Sequence, residues 1–147
     1  MKKEFIRDYA TDALRYWAKE GKPSYEEAVE RIRQRAIRRA GDVDPKKALA
    51  FADAEVEKRS SALADIMACA ELWRVLRENG RGYICDAVEA VYFVEPYRAL
   101  RRGEITGRVR RFATEAYVGE TTVYNWLADA RRLFAVMRGL RIDEDEL

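Results

Sequence analysis

Histidine is absent from this chain of 147 residues, and cysteine occurs only twice. The first absence removes Ser-His-Asp and Cys-His nucleophilic systems, histidine-ligated zinc and the Glu-x-x-His di-iron bundle. The second leaves too few thiols for a four-cysteine zinc site, and Cys69 and Cys85 lack the Cys-x-x-Cys spacing. Both fall in apolar helical patterns and read as buried, reduced thiols. No apolar run approaches the roughly 18 residues that a membrane crossing needs. Met1-Lys2-Lys3-Glu4 opens no signal-peptide stretch, so the chain reads as cytoplasmic. Net charge is nearly missing too: 28 basic against 26 acidic residues leave +2, so only the distribution of charge can point to a partner.

What is present favours helix. Alanine (22) and arginine (21) are the commonest residues, and both are strong helix formers. The three prolines each stand where a helix should begin or stop, and no segment alternates apolar and polar residues over strand length. With 48% hydrophobic residues the chain can build a core, as one domain or two very small ones. The class is all-α: a helical bundle with a long central helix and a C-terminal helix-turn-helix unit.

Phe5, Ile6, Tyr9, Ala13, Tyr16 and Trp17 share one stripe of a first helix over about 3–20, closed by Gly21. Ser24 with Glu27 fits a capping box that opens a second helix over 25–40. Asp44-Pro45 is a third start signal, an acidic cap followed by a proline whose missing N–H costs nothing there. From Pro45 the helical pattern persists to Asn79-Gly80, interrupted at Arg59-Ser60-Ser61. It is one long helix or two joined at a bend. A helix of that length in a small protein packs readily on a partner chain, which predicts a homodimer through 45–79. The organisation read from the chain is an N-terminal scaffold over 1–80, a C-terminal helix-turn-helix unit over 81–140 and an acidic tail over 141–147.

The informative segment is 83–139. Ile105, Val109, Phe112, Ala113 and Ala116 define one helix; Val123, Trp126, Leu127, Ala130, Leu133, Phe134 and Met137 define another. Tyr117-Val118-Gly119-Glu120 separates them, and two helices joined by so short a glycine-containing break form the helix-turn-helix arrangement. Small Ala113 suits the close crossing, and Val118 plugs the turn. Residues 96–139 carry nine arginines, no lysine and four acids, whereas 1–95 balance to zero. Positive charge is therefore gathered on the segment that would meet phosphates.

The same segment resembles a family. Tyr92-Phe93, Pro96, Glu104-Ile105, Val118 to Leu127 and Ala130-Arg131-Arg132-Leu133-Phe134 look like the C-terminal part of phage and prophage late-gene regulators, the ArpU- and RinA-like proteins. Their DNA-binding unit is similar to region 4 of bacterial sigma factors. The resemblance covers little more than the C-terminal third and is most specific at Thr122-Val123-Tyr124-x-Trp126-Leu127. Gly119 departs from it by replacing a capping serine, and Tyr117 by filling a turn position where a smaller residue is usual. The resemblance implies a transcription regulator that binds double-stranded DNA, with host RNA polymerase as a further partner and no cofactor.

At about 100° per residue, Val123, Leu127, Ala130, Phe134 and Met137 centre the buried stripe of the second helix, and Thr121, Asn125, Ala128 and Arg132 lie opposite. Thr121, Thr122, Tyr124 and Asn125 are the base-reading candidates, since the N-terminal residues of a recognition helix face base edges and Asn can bond adenine twice. Arg101, Arg102, Arg108, Arg110, Arg111, Arg131 and Arg132 are the phosphate-binding candidates, which orient the protein without reading sequence. Glu120 can accept from cytosine or simply favour the positive helix N-terminus.

Two other functions fit parts of the pattern. A phage assembly or packaging adaptor would use the same basic hairpin to hold any duplex. Glu26, Glu27 and Glu30 form the first half of the magnesium-binding pattern of MazG-like nucleotide pyrophosphohydrolases. No glutamate of this chain has an aspartate three places on, so the second half is missing and the enzyme reading is the weaker one.

Overall fold

The computed structural model describes residues 2–140, so the acidic tail expected over 141–147 lies outside the described residues. The chain starts its helices where side chains or backbone can take over unpaired amide groups. α1 (Lys3–Lys19) buries Ile6, Ala10, Ala13, Leu14 and Trp17 along one stripe. Trp17 Nε1 donates to Pro23 O at 2.8 Å, which fixes the turn into α2 (Tyr25–Ala40). There Ser24 Oγ accepts from Glu27 N at 3.1 Å, satisfying one of the orphan amides of the first turn. α3 (Pro45–Lys58) begins as the sequence predicts, with Asp44 Oδ1 accepting from Lys46 N at 3.0 Å and proline in the first turn.

The continuous helix over 45–79 is not formed. Arg59 leaves the helical region at φ −103° and ψ 19°, and its amide bonds Val56 O in a tightened last turn. The chain therefore divides into α3 and α4 (Ser60–Glu78). The reason is a conflict of faces. α3 packs chiefly on α2 as a hairpin, with Ala52 its one buried residue. α4 buries Leu63, Ile66, Ala68, Cys69, Leu72 and Leu76 and runs through the core. One straight rod cannot serve both directions, and Ser60-Ser61 is a weak place to keep it straight.

α5 (Gly82–Tyr92), α6 (Glu104–Ala116) and α7 (Glu120–Arg138) complete an all-helical fold, with no strand among the described residues. A single buried cluster takes residues from α1, α2, α4, α5, α6 and α7, so position 80 does not separate two cores. α7 is the cause. Val123 and Leu127, in its first half, share that cluster with Val109 and Ala113 of α6, and its second half carries Phe134 among the residues of α1 and α4. Two aromatic groups thicken the core: Trp73 stacks on Phe93 at 5.2 Å beside Trp17, and Trp126 meets Tyr83 at 4.8 Å. Cys69 and Cys85 are free and buried, and burial pushes both thiols above their ordinary pKa. No helix among the described residues is long and apolar enough to cross a membrane.

Among the described residues the one charged residue in the core is Arg15, 6% exposed. Its guanidinium donates to three backbone carbonyls, Tyr92 O at 2.7 Å, Glu95 O at 3.1 Å and Arg98 O at 2.7 Å. Burial, then the neighbouring charges of Arg108 and Arg98, lower its pKa from the usual arginine value. The planar fork spreads its donors over two separate nitrogens in a fixed geometry, whereas an ammonium gathers its three on one compact nitrogen. Arg15→Met should therefore destabilise the fold by about 3–5 kcal/mol in urea titration, because it strands buried carbonyls. Arg15→Lys should recover only a minor part of that loss.

Candidate nucleic-acid interface

The turn between α6 and α7 follows from Tyr117. It sits in the left-handed region, at φ 57° and ψ 43°. That conformation lets Tyr117 N bond Thr114 O at 3.4 Å and Val118 N bond Ala113 O at 3.0 Å, closing the end of α6. A residue with a side chain costs roughly 1–2 kcal/mol in this conformation. The tyrosine ring itself is 94% exposed, so it clashes with nothing. Val118 is half-buried against the core, and Gly119 precedes α7 in extended conformation with no capping side chain. Val109, Ala113, Val123 and Leu127 are buried and share the core with Val88 and Val91 of α5. The result is a pair of helices on a three-residue connection, held from behind by a third.

Charge on this unit is divided between two tasks that the sequence does not distinguish. Glu104 is a hub: it accepts from Arg98 at 2.6 and 3.0 Å, from Arg108 at 2.7 Å and from the Arg101 amide at 2.7 Å. Arg108 also donates to Val91 O at 2.8 Å, and its side chain is only 11% exposed. Arg131 donates to the hydroxyl of buried Tyr92 at 2.6 Å. Arg138 bonds Asp65 at 2.7 Å and ties the end of α7 to α4. Four of the nine arginines are thus internal struts. Arg108 and Arg131, expected to bind phosphate, have guanidiniums that are hydrogen-bonded inside the fold.

Arg101, Arg102, Arg110, Arg111 and Arg132 remain exposed. Arg110 reaches across the turn to Glu120 at 3.2 Å, so the acid at the start of α7 is paired with α6. Arg132 pairs with Asp129 at 3.4 Å. Both pairs are open to water and contribute little to stability, so a phosphate can compete for either cation. On α7, Thr121, Tyr124 and Asn125 are exposed and Thr122 is half-buried. The exposed face expected from the angular reading is present, with Thr121 and Asn125 one turn apart.

Sequence reasoning marked Tyr117 only as an unusual turn residue; its left-handed backbone and exposed ring leave no compositional signal. One further feature was missed. Arg31, Arg33, Arg35, Arg38 and Arg39 make α2 a second basic strip, hidden because charges averaged over 1–95 cancel. In the structure Arg31 donates to Glu20 O at 2.6 Å and Arg33 pairs with Asp53 at 3.3 Å. Glu26, Glu27 and Glu30 lie exposed along α2, and no group of three His, Cys, Asp or Glu among the described residues is placed to hold a metal.

The Glu104 hub gives the fold a signature in acid. Hydrogen bonds from Arg98 and from the Arg101 amide hold its pKa down at about 2, against an ordinary 4.5. A depressed carboxylate adds stability that is complete above its unfolded pKa and is lost as pH falls through the folded one. Stability should therefore drop between pH 4.5 and 2 in the wild type, and Glu104→Gln should flatten that segment of the profile in denaturant titrations at stepped pH.

No family model matches this chain, and neither does any curated protein or any solved structure.

Proposed function

We propose that the protein binds double-stranded DNA through α6 and α7 acting as a helix-turn-helix, and that it regulates transcription of phage or prophage late genes. The observation that carries DNA binding is the face itself. Thr121, Tyr124 and Asn125 are exposed in the first turns of α7, and the same two-helix unit carries exposed arginines that are paired, where they are paired at all, only with surface acids. A recognition helix presents its N-terminal residues to the major groove in this way. Asn125 pairs with adenine, Thr121 meets a base edge or a thymine methyl, and the half-buried Thr122 and the ring of Tyr124 lie against the backbone. Arg101, Arg102, Arg110, Arg111 and Arg132 orient the duplex through phosphates. Glu120 is held by Arg110 and tunes the positive end of α7. The late-gene assignment rests on the resemblance of the C-terminal segment and adds host RNA polymerase as a partner.

A salt titration of duplex binding tests the reading. Each arginine that meets a phosphate displaces condensed counterion, so Arg101→Gln with Arg111→Gln should lower the slope of log affinity against log salt by roughly 1–2 on any duplex. The melting temperature should stay put, since neither side chain is used inside the fold. Asn125→Ala should cost about 1–3 kcal/mol at a selected binding site and almost nothing on random DNA. Equal losses on both would remove Asn125 from base reading. Tight but sequence-indifferent binding would favour a packaging adaptor. No duplex binding at low salt would end the proposal.

A further inference from the structure

α2 and α3 form a hairpin whose buried residues are three alanines, Ala28, Ala36 and Ala52. Large apolar side chains are left outside the seam. Leu49 is 55% exposed on α3, and Met67 is 49% exposed on α4. Leu49 and Val56 are seven residues apart, two turns, so they lie on one stripe of α3. Where that stripe ends a groove opens, about 440 Å³, between α3, α4, the start of α2 and the end of α7. Its apolar lining includes Val56, Leu63, Met67 and Met137, and Glu57 and Glu71 stand among its charged residues. Arg138 also lines it, but its guanidinium is bound to Asp65.

We infer that the protein forms a two-fold dimer in which Leu49 of each copy enters the groove of the other. Lys46 and Lys47 then face Glu57, the groove acid that is not taken, since Glu71 is already bound by Arg74. Both halves of the contact lie on one chain, in a fixed order along α3. First comes an exposed leucine preceded by two lysines. About 10 Å further on, two helical turns, comes an apolar groove carrying acids. Antiparallel pairing of α3 with its copy matches each half to its complement, which is what an isologous interface requires. DNA does not fit the same place. The acids repel phosphate, and Met137 lies near the far end of a helix of 19 residues, about 28 Å long. The contact involves none of the residues assigned to DNA, and its test uses no DNA.

Sedimentation of the full chain at tens of micromolar in low salt should give a dimer. Leu49→Glu and Met67→Glu approach the contact from opposite sides, and each should yield a monomer with helical circular dichroism intact. The charge swap separates this interface from any other. Lys46→Glu with Lys47→Glu should weaken the dimer about tenfold, and adding Glu57→Lys should recover most of that loss. Those three side chains are exposed, so the swap remains decisive if an apolar variant fails to fold. A monomeric wild type would overturn the inference. So would a dimer indifferent to both glutamate variants, or a swap that recovers nothing.

Discussion

A guanidinium almost out of contact with water, that of Arg15, holds together parts of the chain that are far apart in sequence. Its acceptors are the carbonyl of Tyr92, the last residue of α5, and those of Glu95 and Arg98 in the connection to α6, where the chain leaves helical geometry. Glu95 in that connection takes a left-handed backbone at φ 47°. Without a donor fork from α1, one buried and two partly buried carbonyls would lose their partner and the connection its anchor. The position of α6 follows from that path. Arg98, whose carbonyl Arg15 binds, turns its own side chain to Glu104, and Glu104 holds Arg108. A chain of bonds thus runs from the first helix to the sixth.

That chain explains why arginine is abundant around the candidate DNA face without all of it being available there. An arginine that braces a fold and one that meets phosphate are the same residue type at the same frequency; they differ only in what lies within reach. Arg108 and Arg111 are three positions apart on α6, nearly one turn, yet the first is inside the Glu104 network and the second is exposed. Spending arginines internally also trims the positive field of the face, leaving a smaller set of cations to locate a duplex.

Helix identity and most helix ends were legible in the sequence, because caps and breaks are local chemistry. Ser24, Asp44-Pro45 and the Gly119-Glu120 junction each mark a start that the structure keeps. The division at Arg59 was legible only as an interruption of the apolar seam. Whether a seam bends depends on which neighbour each half packs against, and that is tertiary information. The outward face of α7, with Thr121 and Asn125, followed from helical period alone. The roles of Arg108 and Arg131 did not, since their partners Val91 O and the Tyr92 hydroxyl are distant in sequence. Nor does composition reveal a lone core arginine, because a buried cation and a solvated one are written with the same letter.

α7 also has mechanical consequences. Its two ends are built into different neighbourhoods, the first turns beside α6 and the last against α4 through Arg138 and Asp65. A helix of this length is a lever. Tilting it by about 5° about its C-terminal end carries the first turn through about 2 Å, comparable to the small helix shifts by which interfaces switch. Anything that reseats the Arg138 end would therefore be felt at Thr121 and Asn125, and the turn to α6, on which Val123 and Leu127 pack, would have to follow.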